Sequence, residues 1–203
     1  MHRMLAVKHD SGKMLDGFYI PLAKARKTRN PQELVYGRHG RIHRGGGDNA
    51  WALHCEHFQQ SAYIRLHGPR ASSLFPNANW HSIRDTLYRQ LAYSRKIIDT
   101  DPWWSVLNLC RLIYSFKTGR IVVSKLGAAN WALQEFPSKW HPLIRSAIRT
   151  YKKAGNPRGN VILRRDARKF LGFALVQVVA YDTVWDTREP PIARLRKRSG
   201  KRR

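Results

Sequence analysis

The chain has 203 residues, 42% of them hydrophobic, which is enough for one well-packed core or two small ones. No run approaches the roughly 18 consecutive apolar residues of a membrane span, and the N-terminal residues lack the apolar stretch of a secretory signal. The 38 Lys and Arg residues outnumber the 13 Asp and Glu residues, and the formal net charge of +25 attracts polyanions rather than cations. Because a membrane span and a secretory signal are both missing from these residues, we expect a cytoplasmic protein with no membrane partner.

Residues 1–47 combine strand-prone segments with basic loops. Strands are predicted within residues 13–21 and 33–36, where apolar and aromatic side chains concentrate. A polar, basic connection separates these two segments. Two or three short strands leave one face of a sheet uncovered, so this part is not expected to bury a core by itself.

The next segment begins with three consecutive glycines at residues 45–47, which disfavour regular structure around them. A helix is then predicted over residues 50–60, with Asp48 or Asn49 as its N-terminal cap. A brief strand is predicted over residues 62–66, before a turn-rich stretch.

From residue 79 onward the pattern is helical. Apolar residues at three- to four-residue spacing predict a helix over residues 80–98. Asp101 followed by Pro102 predicts the start of the next helix, with a capping carboxylate and a proline in the first turn. Gly119 is expected to end that helix.

Ser124 and Ser138 are predicted to open two further helices, and a last helix is predicted over residues 165–182. The tail after residue 187 is interrupted by prolines and dense in charge, so we expect disorder there. The predicted fold class is therefore mainly α: a bundle of about five helices preceded by a small part with two or three strands. Cys55 and Cys110 both lie in predicted helices, which favours buried thiols over a disulfide.

Several short motifs between residues 68 and 155 occur in a fixed order. They are Gly68-Pro69 followed by LFP at 74–76, CRLIY at 110–114, Thr118-Gly119, SKLGAANWAL at 124–133 and Phe136-Pro137. This segment resembles the C-terminal helical domain of the aminoglycoside adenylyltransferases, which confer resistance to streptomycin and spectinomycin. The resemblance implies that residues 48–186 form that helical domain and that residues 1–47 are a remnant of an α/β nucleotidyltransferase domain. It also implies ATP and magnesium as cofactors and a hydroxylated, aminoglycoside-like acceptor.

The resemblance further implies roles for individual residues. Lys125 and Tyr151 would reach the nucleotide phosphates, and Arg111 would point toward the same cleft. Asp101 would face the cationic drug. Trp104 is the candidate for stacking on a base or a sugar ring, since one of two adjacent tryptophans at a helix start tends to face outward.

Each of these residues also has an ordinary structural interpretation. Lys125 could be a solvated surface lysine, and Tyr151 could pack at a helix end. Arg111 lies among apolar residues and could be a buried structural donor. Asp101 could act only as a helix cap, and Trp104 could belong to the core.

Adenylyl transfer in this family uses a Gly-Ser motif followed by two aspartates one residue apart, which hold magnesium against the triphosphate. These 203 residues contain no Gly-Ser followed by such a pair. Asp16 aligns with a third carboxylate, the general base for the acceptor hydroxyl, but it could also be a turn residue before Gly17. A single carboxylate cannot hold magnesium against a triphosphate, so we expect no AMP transfer by this chain alone. A misassigned start codon or a disrupted gene would explain the missing motif, and so would a genuine shortened protein that binds a nucleotide or nucleic acid.

A competing hypothesis is a basic, helical protein that associates with nucleic acid and has no enzymatic activity. Nonspecific attraction follows from the charge, with seven Lys or Arg among the last ten residues, although no helix-turn-helix or zinc-finger pattern is present. The same field would repel a polycationic acceptor. The histidines near Cys55 form no complete ligand set for a metal.

Overall fold

The computed structural model describes residues 17–26, 35–38, 41–44, 50–153 and 161–187. The chain divides into two compact units, Met1–Ala78 and Asn79–Arg203. Several predictions concern residues outside the described ones: Asp16, the glycines at 45–47, the caps Asp48 and Asn49, and the tail after residue 187.

The first unit contains a three-stranded antiparallel sheet in the order β1-β2-β3. Its strands are β1 (Gly17–Tyr19), β2 (Val35–Arg38) and β3 (Arg41–Arg44). The first two lie within or overlap the predicted strand segments. The third strand was not predicted, because its arginines and the nearby glycines are not typical of a strand. Arg38 pairs with Arg41, which leaves a two-residue connection, the length of a tight β-hairpin.

Three helices are described in the first unit: α1 (Leu22–Ala25), α2 (Trp51–Gln59) and α3 (Ala71–Leu74). The prediction of helix α2 is confirmed. The predicted strand over residues 62–66 is wrong, since this segment is irregular and exposes Ile64 and Leu66 by 88% and 93%. Alternating side chains alone do not make a strand when no neighbouring strand pairs with it in the described residues.

The second unit is helical throughout its described residues. Its elements are α4 (Trp80–Ile97), α5 (Pro102–Thr118), α6 (Lys125–Glu135), a 3-10 turn (Ser138–Trp140), α7 (His141–Lys153) and α8 (Val161–Thr187). This confirms a mainly helical chain with a bundle of five helices in the described part of this unit.

Helix α5 is the central helix of this bundle, since it packs against α4, α6, α7 and α8. Apolar residues on several of its faces are fully buried: Val106, Leu107, Leu109, Cys110, Ile113 and Phe116. A helix that is apolar on most faces is stable only when it is surrounded, and this explains its central position. Burial raises the pKa of the Cys110 thiol, and Cys110 and Cys55 are both buried thiols, as predicted.

The helix boundaries follow from local capping. The side chains of Asn79 and Ser124 accept hydrogen bonds from the amides of Ser82 and Gly127, and both caps have extended backbone with ψ near 160°. The predicted capping by the Asp101 carboxylate is wrong. Asp101 occupies the N-cap position with φ −131° and ψ 61°, and its side chain accepts no hydrogen bond from the first turn. Gly119 ends α5 in the left-handed conformation, as predicted.

Helix α8 begins earlier and ends later than the predicted 165–182. Its last turns are held by tertiary contacts, because the indole of Trp185 donates a hydrogen bond to the Phe116 carbonyl and packs edge-on against Trp80. Asp182, which is only 3% exposed, accepts hydrogen bonds from Arg84 and from the Tyr88 hydroxyl. These contacts join α8 to α4 and α5.

None of the helices in the described residues has the length and apolar content that a membrane span requires.

We expect Asp182→Ala to lower the free energy of unfolding by about 3 kcal/mol, because it removes the buried acceptor shared by Arg84 and Tyr88. Urea denaturation measures this difference. The matched control is Asp99→Ala, which breaks the exposed ion pair with Arg168 and should cost at most about 1 kcal/mol. Equal losses in the two variants would contradict a stabilising role for the buried cluster.

Candidate functional site

One face of helix α5 carries polar residues at regular helical spacing. Asp101, Trp104, Asn108 and Arg111 are separated by three or four residues, so they lie along one side of the helix. Asn108 is buried and donates to the Ser94 hydroxyl, which leaves the other three for the surface of the bundle. At 1.5 Å per residue, Asp101 and Arg111 are about 15 Å apart along the axis.

Lys125 is the first residue of helix α6, directly after the Ser124 cap. A Cβ at Gly127 would lie 3.1 Å from the Ser124 hydroxyl oxygen, so any larger residue there would press against the capping side chain. The helix start is the positive end of the helix dipole, where an anion is favoured. The Lys125 backbone is thus fixed at a position where its side chain and the helix attract the same kind of ligand.

The Lys125 side chain lies over an aromatic ring of α5. Its Nζ is 5.2 Å from the centroid of the Trp104 ring, which is within the range of a cation–π contact. The same ring is contacted edge-on by Tyr93 of α4, with 5.5 Å between centroids. Trp104 therefore orients Lys125 and is itself fixed by Tyr93. Its ring is packed between two other side chains and does not simply face solvent.

Arg111 and Lys125 form a pair of half-buried positive charges. Burial lowers the pKa of the Arg111 guanidinium. The pKa of Lys125 is lowered first by burial and second by the positive charge of Arg111. Neither forms an ion pair with a carboxylate of the described residues. Both groups are consequently destabilised in their charged form, and a bound anion would remove that penalty.

Tyr151 and Trp103 form a separate aromatic contact. The two rings are tilted, with centroids 5.9 Å apart, and Tyr151 near the end of α7 is 43% exposed. The contact ties the end of α7 to the start of α5. The structure thus brings together Arg111, Lys125 and Trp104, whereas no described contact connects Tyr151 with them.

Asp101 is half-buried at the start of α5. Because its carboxylate neither caps the helix nor forms an ion pair in the described residues, it remains available to a ligand. Asp16, the predicted general base, lies outside the described residues. Within the described ranges, no group of three or more His, Cys, Asp and Glu side chains could hold a metal ion.

The sequence did not predict the contact of Tyr93 with Trp104 or that of Tyr151 with Trp103. Tyr93 lies off the apolar stripe of α4, and no spacing rule connects it with a residue on α5. The adjacent residues Trp103 and Trp104 did indicate aromatic contacts at the start of α5. Neighbouring residues on a helix point in different directions, so Trp103 contacts Tyr151 and Trp104 contacts Tyr93.

Residues 73–175, just over half of the chain, match the family model of the aminoglycoside adenylyltransferase C-terminal domain. The chain therefore belongs to the aminoglycoside adenylyltransferase family. Its fold is similar to that of spectinomycin adenyltransferase AAD(9) from Enterococcus faecialis, crystallised with ATP and spectinomycin, at a TM-score of 0.64 and 18% sequence identity. The similarity covers 79% of this chain and 67% of that one. No curated protein matches the chain in sequence.

We expect Arg111→Gln to raise the pKa of Lys125 toward the ordinary lysine value, because the substitution removes a nearby positive charge. The pKa of Lys125 can be followed by NMR of its side-chain ammonium group as the pH is raised. Arg145→Gln on the exposed side of α7 removes the same charge and should leave that pKa unchanged. An unchanged Lys125 pKa in Arg111→Gln would show that the two groups are not electrostatically coupled.

Proposed function

We propose that the helical domain binds the phosphates of ATP through Arg111 and Lys125. The observation that carries this proposal is the pair of half-buried cations without a carboxylate partner in the described residues. Phosphate oxygens accept hydrogen bonds from both side chains, and Arg111 can offer two parallel donors. The start of α6 adds a favourable dipole at Lys125. That a related fold was crystallised with ATP supports the same ligand here.

The acceptor in this proposal lies toward Asp101, at the other end of the same face of α5. An unpaired carboxylate is suited to an ammonium or hydroxyl group of an aminoglycoside-like molecule. The separation of about 15 Å from Arg111 leaves room for a nucleotide between the two ends. Trp104 lies between them and is the candidate for stacking on a base or a sugar ring. Tyr151 adds a phenol near the start of α5 through its contact with Trp103.

In the same proposal these 203 residues do not transfer AMP by themselves. Magnesium, when bound in this family, neutralises charge on the triphosphate and orients the displacement. The sequence contains one Asp-X-Asp spacing, Asp99 to Asp101, but both oxygens of Asp99 accept hydrogen bonds from Arg168. Residues 1–47 are proposed as the remnant of the nucleotidyltransferase domain, with Asp16 as its general base, and residues 48–186 as the domain that binds ligands.

We propose a cytoplasmic location, where ATP is supplied. The net charge of +25 makes weak attraction of any polyanion unavoidable, so ATP binding must be distinguished from general charge effects.

Lys125→Ala should weaken ATP binding by about tenfold to a hundredfold, the loss expected for one charge-assisted hydrogen bond. Isothermal titration calorimetry at physiological salt measures the dissociation constant. Lys152→Ala removes an equal charge from the exposed side of α7 and should change the dissociation constant by no more than about twofold. If both substitutions weaken binding equally, attraction by the overall field explains it and the proposed site is wrong.

Incubation of the purified chain with ATP, magnesium and spectinomycin should give no adenylylated drug, because the sequence contains no Gly-Ser motif followed by an aspartate pair. Mass spectrometry of the drug provides the measurement. A product heavier by one AMP group, and absent when EDTA is added, would contradict the proposed inactivity while leaving the nucleotide site in place.

A further inference from the structure

A second charged feature lies where α4 ends, α5 begins and α8 passes beside them. It is a cavity of about 360 Å³ with a buried apolar floor of Ile98 and Ala167. Its polar wall is formed by Asp99, Arg164 and Arg168. This size is at the lower end of the range for small-molecule sites. We name it the Arg164–Arg168 cavity.

The acidic group of this cavity is already neutralised. Arg168 donates from Nε and Nη2 to the two oxygens of Asp99, at 2.6 and 2.5 Å. This two-point geometry uses the carboxylate as an acceptor and orients the Arg168 guanidinium along the wall. A cationic ligand would have to displace Arg168 to reach Asp99, so the cavity is poorly suited to a positively charged molecule.

Arg164 provides a positive charge that is not compensated. It lies one helical turn before Arg168 on α8, which puts the two guanidinium groups on the same face. Arg164 forms no ion pair in the described part of the chain. With one carboxylate and two guanidinium groups, the wall has a net charge of +1.

The start of α5 also affects the charge of this cavity, through the partial positive charge of the helix end and the negative charge of the Asp101 carboxylate, a residue that does not line the cavity. Pro102 lines the cavity at the first turn of α5, and the Asp101 side chain does not cap the helix. The positive end of the dipole of a 17-residue helix is therefore left without a side-chain cap beside Arg164 and Arg168. Helix end and arginines both favour an anion, and an apolar floor leaves space for an uncharged remainder of the ligand.

We propose that the Arg164–Arg168 cavity binds the phosphate group of a small molecule, independently of the Arg111–Lys125 pair. Arg164 supplies the free guanidinium, Arg168 supplies the donors that Asp99 does not occupy, and the start of α5 supplies the dipole. Pro102 and Arg111 are nine residues apart on α5, which corresponds to about 13 Å along the helix axis. Failure of ATP binding at Lys125 would therefore leave this proposal intact.

The test uses the full chain with its arginine side chains labelled with ¹⁵N, titrated with inorganic phosphate in chloride buffer. The Nε–H signals of Arg164 and Arg168 should shift and saturate together. Arg164→Gln should weaken phosphate binding at Arg168 by about tenfold, since a charged donor is lost. The control is Arg165→Gln, because Arg165 is the adjacent residue, has the same charge and pairs with Asp166. It should change binding by no more than about twofold.

Asp99→Asn provides a result of opposite sign. It removes the negative charge and releases the Arg168 donors, so phosphate should bind more tightly than to the wild type. Titration with glycerol phosphate distinguishes a phosphate ester from free phosphate as the ligand. An ester that binds more tightly than inorganic phosphate would gain the difference from contact with the apolar floor. Equal weakening by Arg164→Gln and Arg165→Gln, shifts that do not saturate, or weaker binding by Asp99→Asn would each overturn the proposal.

Discussion

The burial of α5 against four neighbouring helices is the constraint on which the rest of the second unit depends. Because its apolar residues are buried on most faces, the helix can be placed only at the centre of the bundle, and its polar residues must emerge along the remaining face. That face carries Asp101, Trp104 and Arg111. The residues that define the candidate site are thus positioned by the same packing that stabilises the domain.

The energetic effect of a basic side chain in this protein depends on whether it is buried and paired. Exposed pairs such as Arg165 with Asp166 are screened by solvent and contribute little to stability. Arg111 and Lys125 differ because they are half-buried, close to each other and without a carboxylate partner in the described residues. Such a pair gains substantially from a bound anion, so the ATP phosphates are assigned there and not to the basic surface as a whole.

Residues that cap or terminate helices made the helix boundaries predictable from the sequence. The starts of α4 and α6 follow from the side chains of Asn79 and Ser124, and the end of α5 follows from Gly119. The predicted Asp101 cap failed because the backbone turns differently there, and the length of α8 depends on Trp185 reaching Phe116. The coupling of Arg111 with Lys125 joins two helices, and no spacing within either one encodes it; only the family resemblance pointed to both residues.

The central claim is that Arg111 and Lys125 recognise phosphate oxygens. Calorimetric titrations with ATP, AMP and adenosine at physiological salt, on the unaltered protein and on the double variant Arg111→Gln/Lys125→Ala, test it most directly because they vary the phosphates and the two cations separately. In the unaltered protein affinity should decrease from ATP to AMP, adenosine should show no measurable binding, and the double variant should lose most of the preference for ATP, since each phosphate removed takes away acceptors for the two cations. Adenosine that binds as tightly as ATP would contradict the claim, because recognition would then depend on the base and sugar alone.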